Sequence, residues 1–409
     1  MKKIISALAL ASLTFGAAFA DASISLNYRS QGFIYGTDTV NNKNDFFSNL
    51  GYGGPQDDVK FTASSDIATV ELTIAPNPSS RDASGTTYLY DAFVNVGNWE
   101  IGAGVWKNGK SSGAYQLKTD ADNANIGGDS FAAYKLGSMF KQQTTFIDDI
   151  VNFGGGGTTY AGYATWGSQL GKAKLVLTGS LISSSWDKED TKSVQLAGYG
   201  VKADIMYNNN WDHQFVIKAK DTSNVALGYH VQPYFIPNTG MTVGGTLGIV
   251  DSKVNDYNVD FRVRWLGLAN RLSVTFFTNY SWVQTATAIG KTVGAYGTYA
   301  SDSASGYTAL GQTITAQAAL WTELHARYKL NGNWFAFGSV GQICGLDDFE
   351  HQGMQIHVAP GIQYFFTGKS SFMTFVRLGL SQVAVKDATD EDMDVVRSVT
   401  IPFIIRIRF

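Results

Sequence analysis

Apolar and polar residues alternate along many short segments of this chain. In residues 257–265 the odd positions are Tyr, Val, Phe, Val and Trp, and the even positions are Asn, Asp, Arg and Arg. The same period of two occurs in residues 88–96, 203–207, 214–218 and 320–330. This period is typical of an extended strand with one apolar and one polar face. The pattern predicts an all-β, antiparallel fold.

The last segment, residues 401–409, has the same alternation. Its odd positions are all Ile or Phe and end at Phe409, whereas Arg406 and Arg408 have the other parity. This ending resembles the C-terminal signature of bacterial outer-membrane β-barrels, in which a final strand of alternating hydrophobic residues ends in Phe. The resemblance implies a transmembrane barrel in the bacterial cell outer membrane, with the apolar face toward lipid and the arginines toward a lumen.

The first 20 residues have the features of a secretory signal peptide. Lys2 and Lys3 precede a short apolar run, and Ala18-Phe19-Ala20 places small residues at the positions that signal peptidase requires. We therefore expect residues 1–20 to be removed and residues 21–409 to form a single domain.

Large aromatic residues lie beside the predicted tight turns. Tyr207 and Trp211 flank residues 208–210, and Tyr328 and Trp334 flank residues 331–333. Each ring belongs to the apolar parity of its strand. Alternation alone also fits a soluble β-sandwich, but rings at the ends of the apolar face are typical of the aromatic girdle of a membrane barrel.

The predicted connections alternate between short and long. The short ones are 64–67, 97–98, 167–171, 208–210, 233–239, 267–270, 331–333 and 367–370. The others are 37–57, 77–84, 108–156, 183–191, 220–222, 251–255, 285–312, 343–352 and 386–393. Short periplasmic turns and longer outer loops are typical of outer-membrane barrels. We expect 18 strands with both termini in the periplasm. The main alternative is 16 strands, if residues 58–75 form a single strand and one further strand is also lost.

Composition narrows the classes of function. The 409 residues carry a formal net charge of −3 and contain one cysteine. No basic cluster suggests a nucleic-acid partner. We find no serine-hydrolase elbow, metalloprotease motif or phosphate-binding glycine motif, and the five histidines have no convincing metal-ligand spacing. The sequence therefore predicts neither an enzyme nor a cofactor or metal site.

The longest connection, residues 108–156, combines acidic residues with the apolar-aromatic stretch 131–136 and a glycine run at 154–157. In general porins, which the chain resembles in architecture, the third outer loop folds into the barrel and narrows the pore. By position, the resemblance implies a constriction loop here, although an exterior loop is the alternative. The acidic residues expected at the constriction are Asp120, Asp122, Asp129, Asp148 and Asp149.

A basic wall is expected to face this loop. Its members have the parity assigned to the lumen: Arg29, Lys60, Lys202, Arg262, Arg264, Arg327 and Arg377. Distance from the turns places Arg29, Arg262 and Arg377 nearest mid-barrel, and Arg406 and Arg408 near the periplasmic rim. Basic residues opposite acidic ones would create a transverse field in the pore. The alternative is that the arginines simply pair with acidic residues such as Glu323 inside the barrel.

These features predict an outer-membrane porin that allows passive diffusion of small hydrophilic solutes and ions. A substrate-specific or hydrophobic-solute channel is the first alternative, because Phe277, Phe335, Phe337, Phe365 and Phe375 share the inward parity. A surface adhesin is the second. The expected partners are outer-membrane lipid, lipopolysaccharide and small solutes, with the acidic connection near residues 387–394 as a candidate for cation bridging. Both a homotrimer and a monomer remain open.

Overall fold

The computed structural model describes residues 21–38, 44–53, 58–65, 68–76, 86–105, 160–183, 196–208, 210–219, 221–233, 235–289, 314–346, 354–367, 370–384 and 393–408. The predicted signal peptide, the connection 108–156 with its five aspartates, most of the acidic connection and Phe409 lie outside these residues. Among the described residues, none belongs to a helix with the length and apolar character needed to cross a membrane.

The described chain consists of β-strands joined by turns. In chain order they are β1 Asp21–Asp38, β2 Asn44–Gly53, β3 Asp58–Ser64, β4 Ala68–Pro76, β5 Thr86–Val96, β6 Trp99–Val105, β7 Tyr160–Leu170, β8 Ala173–Ser183, β9 Leu196–Tyr207 and β10 Trp211–Ala219. They continue with β11 Val225–Pro233, β12 Thr239–Val250, β13 Lys253–Gly267, β14 Leu272–Ile289, β15 Ile314–Asn331, β16 Trp334–Gly345, β17 Met354–Phe365, β18 Ser371–Phe375, β19 Arg377–Ala384 and β20 Met393–Arg408.

All of these strands belong to one sheet, and every pairing is antiparallel. From β3 to β17 each strand pairs with the next one in the chain. β17 pairs with both β18 and β19, which in turn pair with β20. β20 pairs with β1, and β1 pairs with β2 and β3. The predicted all-β antiparallel class is confirmed.

The prediction of a connection at residues 37–57 is wrong for most of that range. β2 lies within it and pairs with the second half of β1, from Ser30↔Gly53 to Thr37↔Asn44. β3 pairs with the first half of β1, where Asn27 lies opposite Asp58. The polar, asparagine-rich composition of residues 38–57 resembles a loop, but pairing with β1 stabilises an extended backbone despite this local preference. The predicted break near residue 65 is confirmed by the turn between β3 and β4, where Ser65 N donates to Ala68 O.

One short turn is joined to its neighbour by an arginine. Leu268, Ala269 and Asn270 between β13 and β14 all have positive φ, a conformation that non-glycine residues rarely adopt. Arg271 follows them, and its Nη2 donates to Lys329 O at 2.9 Å and to Leu330 O at 2.7 Å in the next hairpin. These bonds connect two adjacent turns along the same edge of the sheet.

The two faces of the sheet differ in a way that is unusual for a soluble protein. On β15, Glu323, His325 and Arg327 are buried, whereas Leu324 between them is 42% exposed. Other large apolar side chains are exposed on the same face as Leu324 in neighbouring strands: Val259, Trp265, Trp334, Val340, Val358 and Ile362. Charged residues on the covered face and apolar residues on the open face are the arrangement expected of a sheet whose outer face contacts lipid.

The hydrogen-bond ladder is interrupted at one level across four neighbouring strands. Pro360 of β17 cannot donate, although its carbonyl accepts from Val376 N at 2.9 Å in the gap between β18 and β19. The pairing of β18 with β20 ends at Thr374↔Phe403, and that of β19 with β20 begins at Arg377↔Thr400, so Pro402 lies between them. On β1, the register shifts beside Phe33, the partner of Pro402.

Gly361 of β17 lies against the ring of Phe337 and the Cβ of Phe375, and this close packing gives a testable prediction. A Cβ at this position would lie 2.5 Å from Phe337 Cζ and 2.7 Å from Thr374 O. We expect Gly361→Ala to lower the free energy of unfolding by about 1–3 kcal/mol, the usual effect of overpacking, as measured by urea titration of the folded protein in detergent. Gly179→Ala is the matched control, since no heavy atom lies within 4 Å of its added Cβ. Equal midpoints for the two variants would contradict the prediction.

Candidate functional site

Charged and polar side chains gather on the covered face between β13 and β19. Arg264 on β13, Arg327 on β15 and Arg377 at the start of β19 all belong to this wall, and the last two are buried. Arg264 lies opposite Thr275, which lies opposite His325, two residues before Arg327 on β15. Arg327 is linked toward Arg377 through Phe337 and Gly361, because Gly361 lies opposite Phe375, two residues before Arg377. We call this region the arginine wall.

Arg327 lies at the centre of a group of aromatic and amide side chains. Its guanidinium carbon is 4.3 Å from the centroid of the Phe335 ring and 5.5 Å from that of Phe365. The two rings meet edge to face with centroids 5.4 Å apart. Arg327 Nη2 also donates to Gln363 Oε1 at 2.9 Å. Stacking on two rings and a buried hydrogen bond together hold the cation against the wall.

Further aromatic rings extend the arginine wall toward β18. Phe337 and Phe375 meet edge to face with centroids 5.9 Å apart, and both side chains lie against Gly361. Phe277 on β14 is fully buried. All five phenylalanines that share the predicted inward parity are therefore on the covered face. The guanidinium of Arg327 lies against two of these rings, those of Phe335 and Phe365.

An acidic residue lies among these cations. Glu323 is fully buried, and its Oε1 is 2.9 Å from His325 Nε2 on the same strand. Arg264 Nε donates to Ser273 Oγ at 3.0 Å on the neighbouring strand. Asp256 on β13 is also buried on this face. Because guanidinium groups stay protonated in proteins, the three arginines give the wall a positive field that these two carboxyl groups offset only in part.

The covered face of β6 to β8 is polar but carries less charge. Tyr163 OH donates to Glu100 Oε1 at 3.3 Å, and the hydroxyl oxygens of Thr165 and Thr178 are 2.9 Å apart. Tyr163 lies directly over Gly102 of the paired strand. Lys60, a predicted basic residue on β3, is only half-buried. Among the described side chains, the buried cations are Arg327 and Arg377, and both belong to the arginine wall.

The other predicted basic residues are placed through their backbones only. Arg29 lies on β1, Lys202 on β9 and Arg262 on β13, and their side chains are outside the described set. Arg29 is the register partner of Arg406, so the two share one level of the sheet. The expectation that Arg29 lies at mid-barrel while Arg406 lies at the rim is wrong, because it used distance along each strand and ignored the offset between them.

Two residues of the arginine wall were not identified from the sequence. Gln363 on β17 accepts from Arg327 and donates through Nε2 to Ser371 Oγ on β18 at 3.2 Å. The sequence offered only a weak indication of its role, since Gln363 is simply a polar residue at the parity of Phe365.

Within the described ranges, no group of three or more His, Cys, Asp or Glu side chains could hold a metal ion.

No protein-family model and no curated protein matches this sequence. Solved structures do match its fold. OccK2 (OpdF) of Pseudomonas aeruginosa in complex with glucuronate has 9% identity and a TM-score of 0.51, with 96% of this chain and 98% of that chain covered. OpdL of the same organism has 8% identity, a TM-score of 0.53 and coverage of 95% and 99%. OccK3 (OpdO) has 9% identity, a TM-score of 0.51 and coverage of 96% and 97%. The chain therefore has a porin-like fold, as its sequence predicts.

Proposed function

We propose that this chain is an outer-membrane channel that favours small anionic solutes, above all those with a carboxylate. One observation carries the proposal: three arginines line one wall, and the guanidinium of Arg327 stacks on buried phenylalanine rings. Planar guanidinium groups pair with carboxylates, and aromatic faces beside them accept the apolar part of a solute. A similar fold in OccK2 has been captured with glucuronate, a carboxylate sugar, which is compatible with this proposal.

The pairing pattern supports an 18-stranded barrel. β2 and β3 follow each other along the same partner, β1, and β18 and β19 follow each other between β17 and β20. If each of these pairs is counted as one strand, the 20 segments become 18. The β1–β20 pairing would then join the two ends of the sheet. A closed sheet leaves no unpaired edge toward lipid.

The orientation and the loops complete the proposal. The short connections, such as those at Gly97 and Gly332, would lie in the periplasm with both termini, and the longer ones outside the cell. The connection 108–156 would fold inward and place its aspartates opposite the arginine wall. The outer loops and the exposed apolar face would contact lipopolysaccharide and outer-membrane lipid.

A selective channel is favoured over a general diffusion pore because the arginine wall combines cations with aromatic rings. A wall that serves only to hold water would not need large apolar side chains in its interior. A surface adhesin would need no such wall, and nothing described here suggests catalysis. The named similar structures give no support to a homotrimer.

A planar-bilayer recording of the purified, full-length protein tests the function. We expect stepwise ohmic conductance, a reversal potential that indicates anion preference, and lower KCl conductance when glucuronate is added. Deletion of residues 120–150 should raise the single-channel conductance if that connection narrows the pore. Conductance that is unchanged by the deletion would place the loop outside the pore. Folded, heat-modifiable protein without any conductance would contradict the channel itself.

A further inference from the structure

Gln363 connects two side chains that lie on either side of it in the sheet. Arg327 Nη2 on β15 donates to its Oε1 at 2.9 Å, and its Nε2 donates to Ser371 Oγ on β18 at 3.2 Å. All three residues are buried, with exposures of 3% for Arg327, 7% for Gln363 and 5% for Ser371. A short chain of hydrogen bonds therefore crosses the arginine wall.

The donors and acceptors in this series of hydrogen bonds follow from the chemistry of the three side chains. A guanidinium can only donate hydrogen bonds, so the amide oxygen of Gln363 must face Arg327. The amide nitrogen then faces Ser371, whose hydroxyl oxygen can accept. A flipped amide would point its N–H groups at the guanidinium and its oxygen at Ser371, and Arg327 would lose this acceptor. Only one orientation of the Gln363 amide satisfies both neighbours.

The side chain of Arg327 is directed toward Gln363. In the register, Arg327 lies opposite Phe337, but its guanidinium lies over the ring of Phe335, whose own partner is Gln363. The side chain therefore leans across β16 toward the adjacent short turn. Attraction to a ring face tolerates sliding and rotation of the cation. A hydrogen bond to a single oxygen is far more directional, so it fixes where the charge rests.

We infer that Gln363 is a positioning residue that holds the charge of Arg327 in place and so sets the anion preference of the channel. This inference rests on the proposed function. Gln363 acts through Arg327, and Ser371 supports it by accepting from the amide nitrogen. The wall thereby carries a fixed cation, not a mobile one, which is the arrangement that selective sites require.

The test compares reversal potentials of full-length variants in a KCl gradient. Gln363→Leu keeps the net charge but removes the acceptor, and we expect the anion-to-cation permeability ratio to fall by about twofold as the cation moves away. Gln363→Glu places a carboxylate beside Arg327. We expect the permeability ratio to fall roughly threefold, because one unit charge at about 6 Å in water has an effect of this size. Arg327→Gln removes one charge and should lower the ratio by a similar factor. In an Arg327→Gln background, Gln363→Leu should change nothing further.

Gln317→Glu is the matched control. It makes the same charge change on β15, ten residues from Arg327 and therefore about 33 Å along the strand, where Gln317 is exposed and donates to Gln284 O. We expect a much smaller change in the ratio. If Gln363→Leu does not give heat-modifiable folded protein, Gln363→Met removes the same acceptor in a side chain of similar length.

Three results would overturn the inference. The first is an anion-to-cation permeability ratio that changes with Arg327→Gln but not with Gln363→Leu. The second is an effect of Gln363→Leu that persists in the Arg327→Gln background. The third is an effect of Gln317→Glu as large as that of Gln363→Glu. In each case the protein still conducts, so the proposed function stands. Absence of conductance in folded wild-type protein would instead overturn the proposed function and this inference with it.

Discussion

Deletion of residues 401–409 is expected to prevent the protein from folding in a membrane. The deleted segment includes half of β20. This half pairs with β1 from Asn27↔Arg408 to Tyr35↔Ile401, and with β18 from Ser371↔Arg406 to Thr374↔Phe403. The backbone groups of β1 and β18 would then face lipid without partners, and each such group costs several kcal/mol in hydrocarbon. On a gel without heating, we expect the compact, heat-modifiable band to disappear and only the unfolded band to remain.

A deletion of the same length elsewhere separates this effect from chain shortening. Residues 295–303 lie in the connection between β14 and β15, outside both strands. Their deletion leaves every described strand pair intact, so we expect the compact band to persist. A compact band of normal mobility in the chain that lacks residues 401–409 would show that β20 is dispensable.

Neutralising two arginines of the arginine wall should have the largest effect on selectivity. Arg327 and Arg377 are both buried on the covered face, and Arg327 contacts Phe335, Phe365 and Gln363. Each positive charge contributes roughly 0.7 kcal/mol to an anion at about 6 Å in water. Arg327→Gln combined with Arg377→Gln should therefore lower the anion-to-cation permeability ratio by about tenfold. Reversal potentials in a KCl gradient measure this change.

Arg271 provides the control for net charge. Its guanidinium is exposed and donates to backbone carbonyls of the neighbouring turn. It lies 5.2 Å from the ring centroid of Tyr328, which has the parity of the open face, opposite to that of Arg327. We expect Arg271→Gln to leave the permeability ratio nearly unchanged at physiological salt, because exposed charges are screened within about 8 Å. An equal shift from Arg271→Gln would mean that overall charge, and not the wall, sets the preference.

The strands were predictable wherever alternation was strong and turns were short. Residues 257–265 of β13 alternate without interruption, and the turn after this strand begins near the predicted residue 267. β2 was missed because its residues, with Phe46 and Phe47 adjacent, have no clear period of two. Its extended form depends on pairing with β1, a tertiary effect that local sequence does not contain. The break at Val376 was missed for the same reason, because it depends on prolines in two other strands.

The candidate site was only partly predictable. Parity assigned Glu323, His325 and Arg327 to one face, and these three are buried. Parity does not predict which residues of different strands contact each other, because those contacts depend on the register between the strands. The contact of Arg327 with Gln363 crosses an intervening strand, and the level shared by Arg29 and Arg406 follows from the register of two strands distant in the chain.

The interrupted ladder at Pro360, Val376 and Pro402 also bears on how the wall moves. Bending a sheet normally strains the hydrogen bonds between its strands, but at this level some of those bonds cannot form. The wall is therefore more compliant there than above or below. Phe375 and Arg377 lie on either side of Val376 and face the covered side. In the proposed channel, the largest solute admitted would then depend on how far this part of the backbone yields, and not on side-chain size alone.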